Sequence, residues 1–124
     1  MSAACSAILA AILAVVIAGC SPAPATWATD GGGCVRELPP CPAMPPSYKE
    51  TVSPILERAC ISCHYPESNL ARSSLTPYAA VAADLGSMVD QVYACAMPPP
   101  GHLQLTAAER TSLLEWLECK APDN

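Results

Sequence analysis

Apolar and polar positions divide this chain of 124 residues into three unlike stretches. Residues 1–19 form an apolar and small-residue run with no charged side chain, and the first charge in the chain is Asp30. Residues 20–46 show no periodicity and hold seven prolines and the triplet Gly31-Gly32-Gly33, a composition that predicts a tether, part extended and part flexible. From Ser47 onward apolar residues recur every three or four positions, which predicts helices. The first covers 47–64, with Val52, Ile55, Leu56, Ala59 and Cys63 on one face, Ser53 as N-cap and Pro54 at the first helical position. A second, within 75–86, has Thr76 as cap, Pro77 as start and Gly86 closing it in a left-handed conformation. A third, within 87–97, opens on a relaxed capping box, Ser87 with Asp90, and stops at Pro98. The fourth, within 106–122, opens on the capping box Thr106 and Glu109 and carries Leu113, Leu114 and Leu117 along one side. Nothing alternates at period two for long enough to make a sheet, so the folded part is expected to be all-α.

The apolar run ends at Ile17-Ala18-Gly19-Cys20. An aliphatic residue, two small residues and Cys resemble the lipobox of bacterial lipoproteins, in which the Cys is diacylated and becomes the mature N-terminus. The match departs in one respect: no Lys or Arg precedes the run, only the terminal amine. The resemblance implies a signal peptide over 1–19, removed in the mature protein, a lipid-anchored Pro/Gly-rich linker over 20–46 and a folded domain over 47–124. A retained transmembrane helix is the alternative, for which the run is short. Ser21 after the lipid-bearing Cys20 implies sorting to the outer membrane, where Asp would favour retention. Cys5, inside the discarded segment, then has no role.

Charge and cysteine content narrow the function classes. With a formal net charge of −5 and six Lys and Arg, the chain lacks the basic face that nucleic acid requires. Eight cysteines point to an oxidising compartment, in agreement with export. The chain has no Phe, and a domain of this size buries only about 60% of its unfolded surface. Something besides side chains is therefore expected to fill the middle.

The candidate chemistry lies in Cys60-Ile61-Ser62-Cys63-His64. A thioredoxin-like redox pair wants its CxxC at the start of a helix in a βαβ context; here it ends a helix and no strands are predicted. A structural zinc site needs four ligands, usually in two pairs, and the cysteines at 34, 41, 95 and 119 form no second knuckle. The remaining reading is covalent haem, for which CxxCH is the attachment signature: two thiols add to the vinyl groups, and the adjacent His is an axial ligand. A second axial ligand is offered by Met97, in Cys95-Ala96-Met97-Pro98-Pro99-Pro100-Gly101, where the prolines stiffen the chain and fix the thioether's direction. His102 is its rival, Met88 is expected in the core, and Met44 sits in the tether.

Together these pieces resemble a family, the small class I c-type cytochromes, and especially bacterial domains reading PIL…CxxCH at one end and MPP…LTxxE…L…WL at the other. The matching residues are Pro54-Ile55-Leu56, residues 60–64, Met97-Pro98-Pro99, Leu105-Thr106 with Glu109, and Trp116-Leu117, spanning 48–122. The resemblance implies first and last helices that cross near perpendicular around one covalently attached haem c, with His64 and Met97 on opposite sides of the iron. His64 and Met97 are 33 positions apart, shorter than in longer members of the class, so one haem edge is expected to be more open to solvent.

His64 is expected to bind iron through Nε2 and to donate its other ring proton to a backbone carbonyl. A thioether ligand from Met97 stabilises Fe(II). Trp116 and Leu117 are expected to pack on the Ile55 and Ala59 face and against the haem edge. Cys34, Cys41, Cys95 and Cys119 allow three pairings; Cys95 with Cys119 and Cys34 with Cys41 is the expectation. The function expected is that of a monohaem single-electron carrier between redox partner proteins, lipid-anchored through Cys20 on the periplasmic side of the cell envelope, and not an enzyme. The alternatives are a haem-based sensor of a small ligand, a haem subunit of a larger oxidoreductase complex, or a disulfide-braced interaction module without haem.

Overall fold

The computed structural model describes residues 33–71 and 73–124; the leader, Cys5, Cys20 and Ser21 lie outside the described residues. Among the described residues the fold is all-helical, with no strands. A π-helical turn, Tyr48–Val52, runs directly into α1, Ser53–Ala59; α2 is Tyr78–Ala83, α3 is Leu85–Tyr93 and α4 is Ala107–Glu118.

Each helix start has a local cause, and three of them differ from the expectation. The first helical run is capped by Ser47, whose hydroxyl accepts from the Glu50 amide, and not by Ser53. Pro54 stands inside a continuous run because it has no N–H to give: i→i−5 bonds, such as Val52 N–H to Ser47 O at 3.1 Å, precede it and α-helical bonding follows. Pro77, not Thr76, stands at the N-cap of α2. Gly86 does not end α2 in a left-handed conformation; it lies within α3, and Asp84 is the hinge between the two helices. Starting α3 at Leu85 puts Leu85, Met88, Val89 and Val92 on one face toward the core, so the apolar stripe overrides the Ser87/Asp90 capping box, which is not formed. The Thr106/Glu109 box is formed in full.

α4 packs on α3 and on the π turn. Its buried face carries Arg110, Leu113, Leu114, Trp116 and Leu117. Trp116 is fully buried in one core with Ile55 and Leu117, but its ring stacks on Tyr48, centroids 5.4 Å apart, with Tyr78 edge-on at 6.5 Å. Tyr78 O–H in turn donates to Ala121 O at 2.6 Å. Two tyrosines to which the sequence reading assigns nothing thus hold the Trp.

The disulfides correct the expected pairing. Cys34 joins Cys95 and Cys41 joins Cys119, with Cα separations of 5.9 and 4.9 Å, inside the range a bridge requires. Short separation along the chain favours a Cys34–Cys41 ring, but residues 33–46 run across the helices. Gly33, at φ +68°, is pressed so closely on α4's start that a Cβ there would lie 2.1 Å from Leu105 O, an approach open only to glycine.

Closing loops of 61 and 78 residues constrains the unfolded chain by about 4 kcal/mol each in the chain-entropy model. Replacing Cys41 and Cys119 together by Ser is expected to lower unfolding free energy by about 2–4 kcal/mol in denaturant titration, and a non-reduced digest should yield the 34–95 and 41–119 peptide pairs. The Glu109 carboxyl is held below the usual range, chiefly by the Thr106 N–H it accepts at 2.8 Å. A depressed folded pKa contributes stability that is present above the unfolded value of about 4.3 and lost as pH falls through the folded one. Glu109→Gln should therefore flatten the acid side of the stability–pH curve, leaving less to lose below about pH 4.

Candidate functional site

The chain leaves α1 in a tight turn that gathers the CxxCH residues. Cys60 N–H still donates to Leu56 O at 2.9 Å, and Cys60 O accepts from both Cys63 N–H at 3.1 Å and His64 N–H at 3.0 Å. Both thiols and the imidazole are thus fixed on one turn of backbone. The loop that follows comes back over His64: Leu75 N–H donates to His64 O at 2.9 Å, and His64 Nδ1 lies 2.7 Å from Ser73 O. A carbonyl can only accept, so Nδ1 carries the proton and Nε2 is left with its lone pair. Ser73 is held in its turn by its hydroxyl, which donates to Asp84 Oδ2 at 2.9 Å, tying the loop to the hinge between α2 and α3.

Met97 is delivered from the other side. α3 ends at Tyr93, and Cys95 takes a left-handed conformation, φ +56°, at a position where glycine is usual. The Cys34–Cys95 bond holds it there. Ala96 and Met97 N–H groups then both donate to Gln91 O, at 3.0 and 3.1 Å, and Arg110 donates to Met97 O at 3.0 Å.

Between these two arms lies a cavity of about 660 Å³, bordered by Cys60, Cys63, His64, Met88, Met97 and His102 among a majority of apolar atoms. That volume falls within the range of about 300–1,000 Å³ of small-molecule and cofactor sites. All four sequence-predicted site residues, Cys60, Cys63, His64 and Met97, border it. So does the rival His102, from an exposed position, and so does Met88, which is also a core residue. Met44 is 86% exposed on the described part of the linker. Ala59 and Leu113 also border the cavity, whereas Trp116 and Leu117 pack away from it.

Arg110 is the residue that sequence reasoning missed. It is fully buried and donates to three main-chain carbonyls, those of Gly33, Val92 and Met97. The signal was present: counted back from Leu113, Leu114 and Leu117 at helical spacing, position 110 falls on the buried stripe.

The chemistry open to the two thiols is limited by their surroundings. Cys60 and Cys63 are the free cysteines among the described residues. Burial pushes the Cys60 thiol up to about 11, with Arg58 and Arg110 only partly opposing it, the reverse of an activated redox thiol. Among the described residues no three His, Cys, Asp or Glu side chains converge to hold a metal ion. The four donors of a protein-only zinc site are likewise not brought together among the described residues. Compared with known proteins, the chain matches no family model, no curated protein and no solved structure.

If burial governs Cys60, the pH profile of its alkylation in the protein with both thiols free, read by peptide mass mapping, should have its midpoint near 11. A midpoint at the ordinary thiol value of about 8.5 would contradict this.

Proposed function

We propose that this chain is a monohaem c-type cytochrome that carries single electrons. Cys60 and Cys63 would hold the haem as thioethers, and His64 Nε2 and the Met97 thioether would be the side-chain ligands to its iron. The observation that carries the reading is the convergence of both thiols, an imidazole with Nδ1–H already committed to Ser73 O, and a Met held by its own main chain, all on one largely apolar cavity. When bound, the haem supplies a one-electron Fe(III)/Fe(II) couple.

The polypeptide supplies orientation and exclusion of water. The Nδ1–H to Ser73 O bond sets the tautomer and ring plane and makes Nε2 the better donor. A neutral thioether as the other ligand would favour the ferrous state relative to a second imidazole. The cavity walls from α3 and α4, through Met88, Val92 and Leu113, keep the surroundings apolar. Transfer of electrons to and from partner proteins is the activity proposed.

Four of the cysteines are spent on two disulfides, which fits an oxidising compartment and leaves the CxxCH pair free. Together with the lipobox-like Ile17-Ala18-Gly19-Cys20 this supports export and lipid anchoring on the periplasmic side of the envelope, with sorting to the outer membrane. Among the described residues no helix is long and apolar enough to cross a membrane.

The ligand assignment is tested on haem-loaded protein. Wild type is expected to be six-coordinate and low-spin in both oxidation states, with a methionine–iron band and no ready carbon monoxide binding. Met97→Ala should lose that band and bind carbon monoxide, and His102→Ala should behave as wild type. A spectrum unmoved by Met97→Ala but altered by His102→Ala would hand the sixth position to the histidine, and a five-coordinate wild type would point to a ligand sensor.

A further inference from the structure

A positive charge begins the apolar stripe of α4. Arg110 is 0% exposed, and a buried charge is costly unless it is paired or hydrogen-bonded. Among the described residues no carboxylate pairs with it, and the ion pair there is Arg58 with Glu109. Its donors go to main-chain carbonyls on the linker, at the end of α3 and in the loop just after it. Nε–H donates to Gly33 O at 3.0 Å, and Nη1 donates to Val92 O and, at 3.0 Å, to Met97 O. Nη2 has no partner.

Carbonyls disperse the charge of a guanidinium without neutralising it. The guanidinium is planar and rigid, so it fixes these three oxygens relative to one another. Two belong to residues that border the cavity, Val92 and Met97. The third belongs to the residue before Cys34, whose disulfide reaches Cys95, two positions ahead of Met97. Nothing in electron transfer itself calls for a buried Arg at this point, and an aliphatic residue would continue the stripe at lower cost.

We propose that Arg110 is a positioning residue for Met97 and an electrostatic tuner of the cavity, locking the Met97 main chain to α3 and α4 and placing an uncompensated positive charge behind the cavity wall. This rests on the reading of Met97 as an iron ligand. Two separable effects follow. The fork restrains Met97, so that outside ligands compete poorly for the iron. The charge, in a medium of low dielectric, favours the state with one more electron and raises the reduction potential.

The test uses full-length, haem-loaded protein, with dithionite and ferricyanide as electron donor and acceptor in an optical redox titration, and imidazole as competing ligand for the ferric form. Arg110→Lys keeps the charge and loses the fork: imidazole should bind about tenfold more tightly, the scale of one lost charge-assisted hydrogen bond, with the potential near that of wild type. Arg110→Gln loses both: imidazole should bind similarly more tightly, and the reduced-to-oxidised ratio at the wild-type midpoint should fall about tenfold. Gly33→Ala, which leaves Arg110 intact but displaces one of its acceptors, is the probe should Arg110→Gln not accumulate, and it too should bind imidazole more tightly. Haem-bearing variants with wild-type potential and wild-type imidazole affinity overturn the role of Arg110 alone. A wild type that carries no haem overturns instead the functional reading beneath it.

Discussion

Side chains too few and too small to fill the space between the helices set the terms for the rest of the molecule. Among the described residues no side chain larger than Arg is fully buried apart from Trp116, and the chain has no Phe. A cleft of about 660 Å³, open to solvent on one side, is left between the α1 turn, α3 and the Met97 loop, within the range of about 300–1,000 Å³ of small-molecule and cofactor sites. The walls are braced by covalent bonds and charge-assisted contacts more than by core packing: Cys34–Cys95 beside the Met97 loop, Cys41–Cys119 at the end of α4, and Arg110 between them.

The same economy explains why local geometry around the site is so heavily determined by the backbone. His64 is bracketed by main-chain bonds at its own N–H, at its own carbonyl and from its ring to Ser73 O. Met97 is bracketed at its N–H by Gln91 O and at its carbonyl by Arg110. The prolines after Met97 continue this logic, since Pro99 O accepts from both His102 N–H and Gln104 Nε2 and keeps the following loop at the cavity edge.

Helical class, the four helical regions and the α4 capping box were legible because each rests on residues within one turn of each other. That Cys60, Cys63, His64 and Met97 border one cavity could be anticipated for a related reason: CxxCH is contiguous, and the proline run after Met97 marks it out among the methionines. What was not legible depends on contacts between distant segments. Leu85 belongs to α3 only because the core stripe of that helix needs it, so Gly86 could not be placed from its neighbours. The disulfide partners follow from the path of residues 33–46 across α3 and α4, a path fixed by the contact of Gly33 with the start of α4. Arg110 carries a surface residue's chemistry at a core position, and only the period of the stripe betrays it.

The central claim is that Cys60 and Cys63 are alkylated by one haem that occupies the cavity. Intact mass of the protein, exported from a host competent in c-type haem attachment, tests it most directly. The account predicts a polypeptide heavier by one haem, stable to acid and organic extraction, with Soret absorbance that vanishes when both cysteines are replaced by Ser. Unmodified polypeptide mass and a colourless sample from the same host would contradict it.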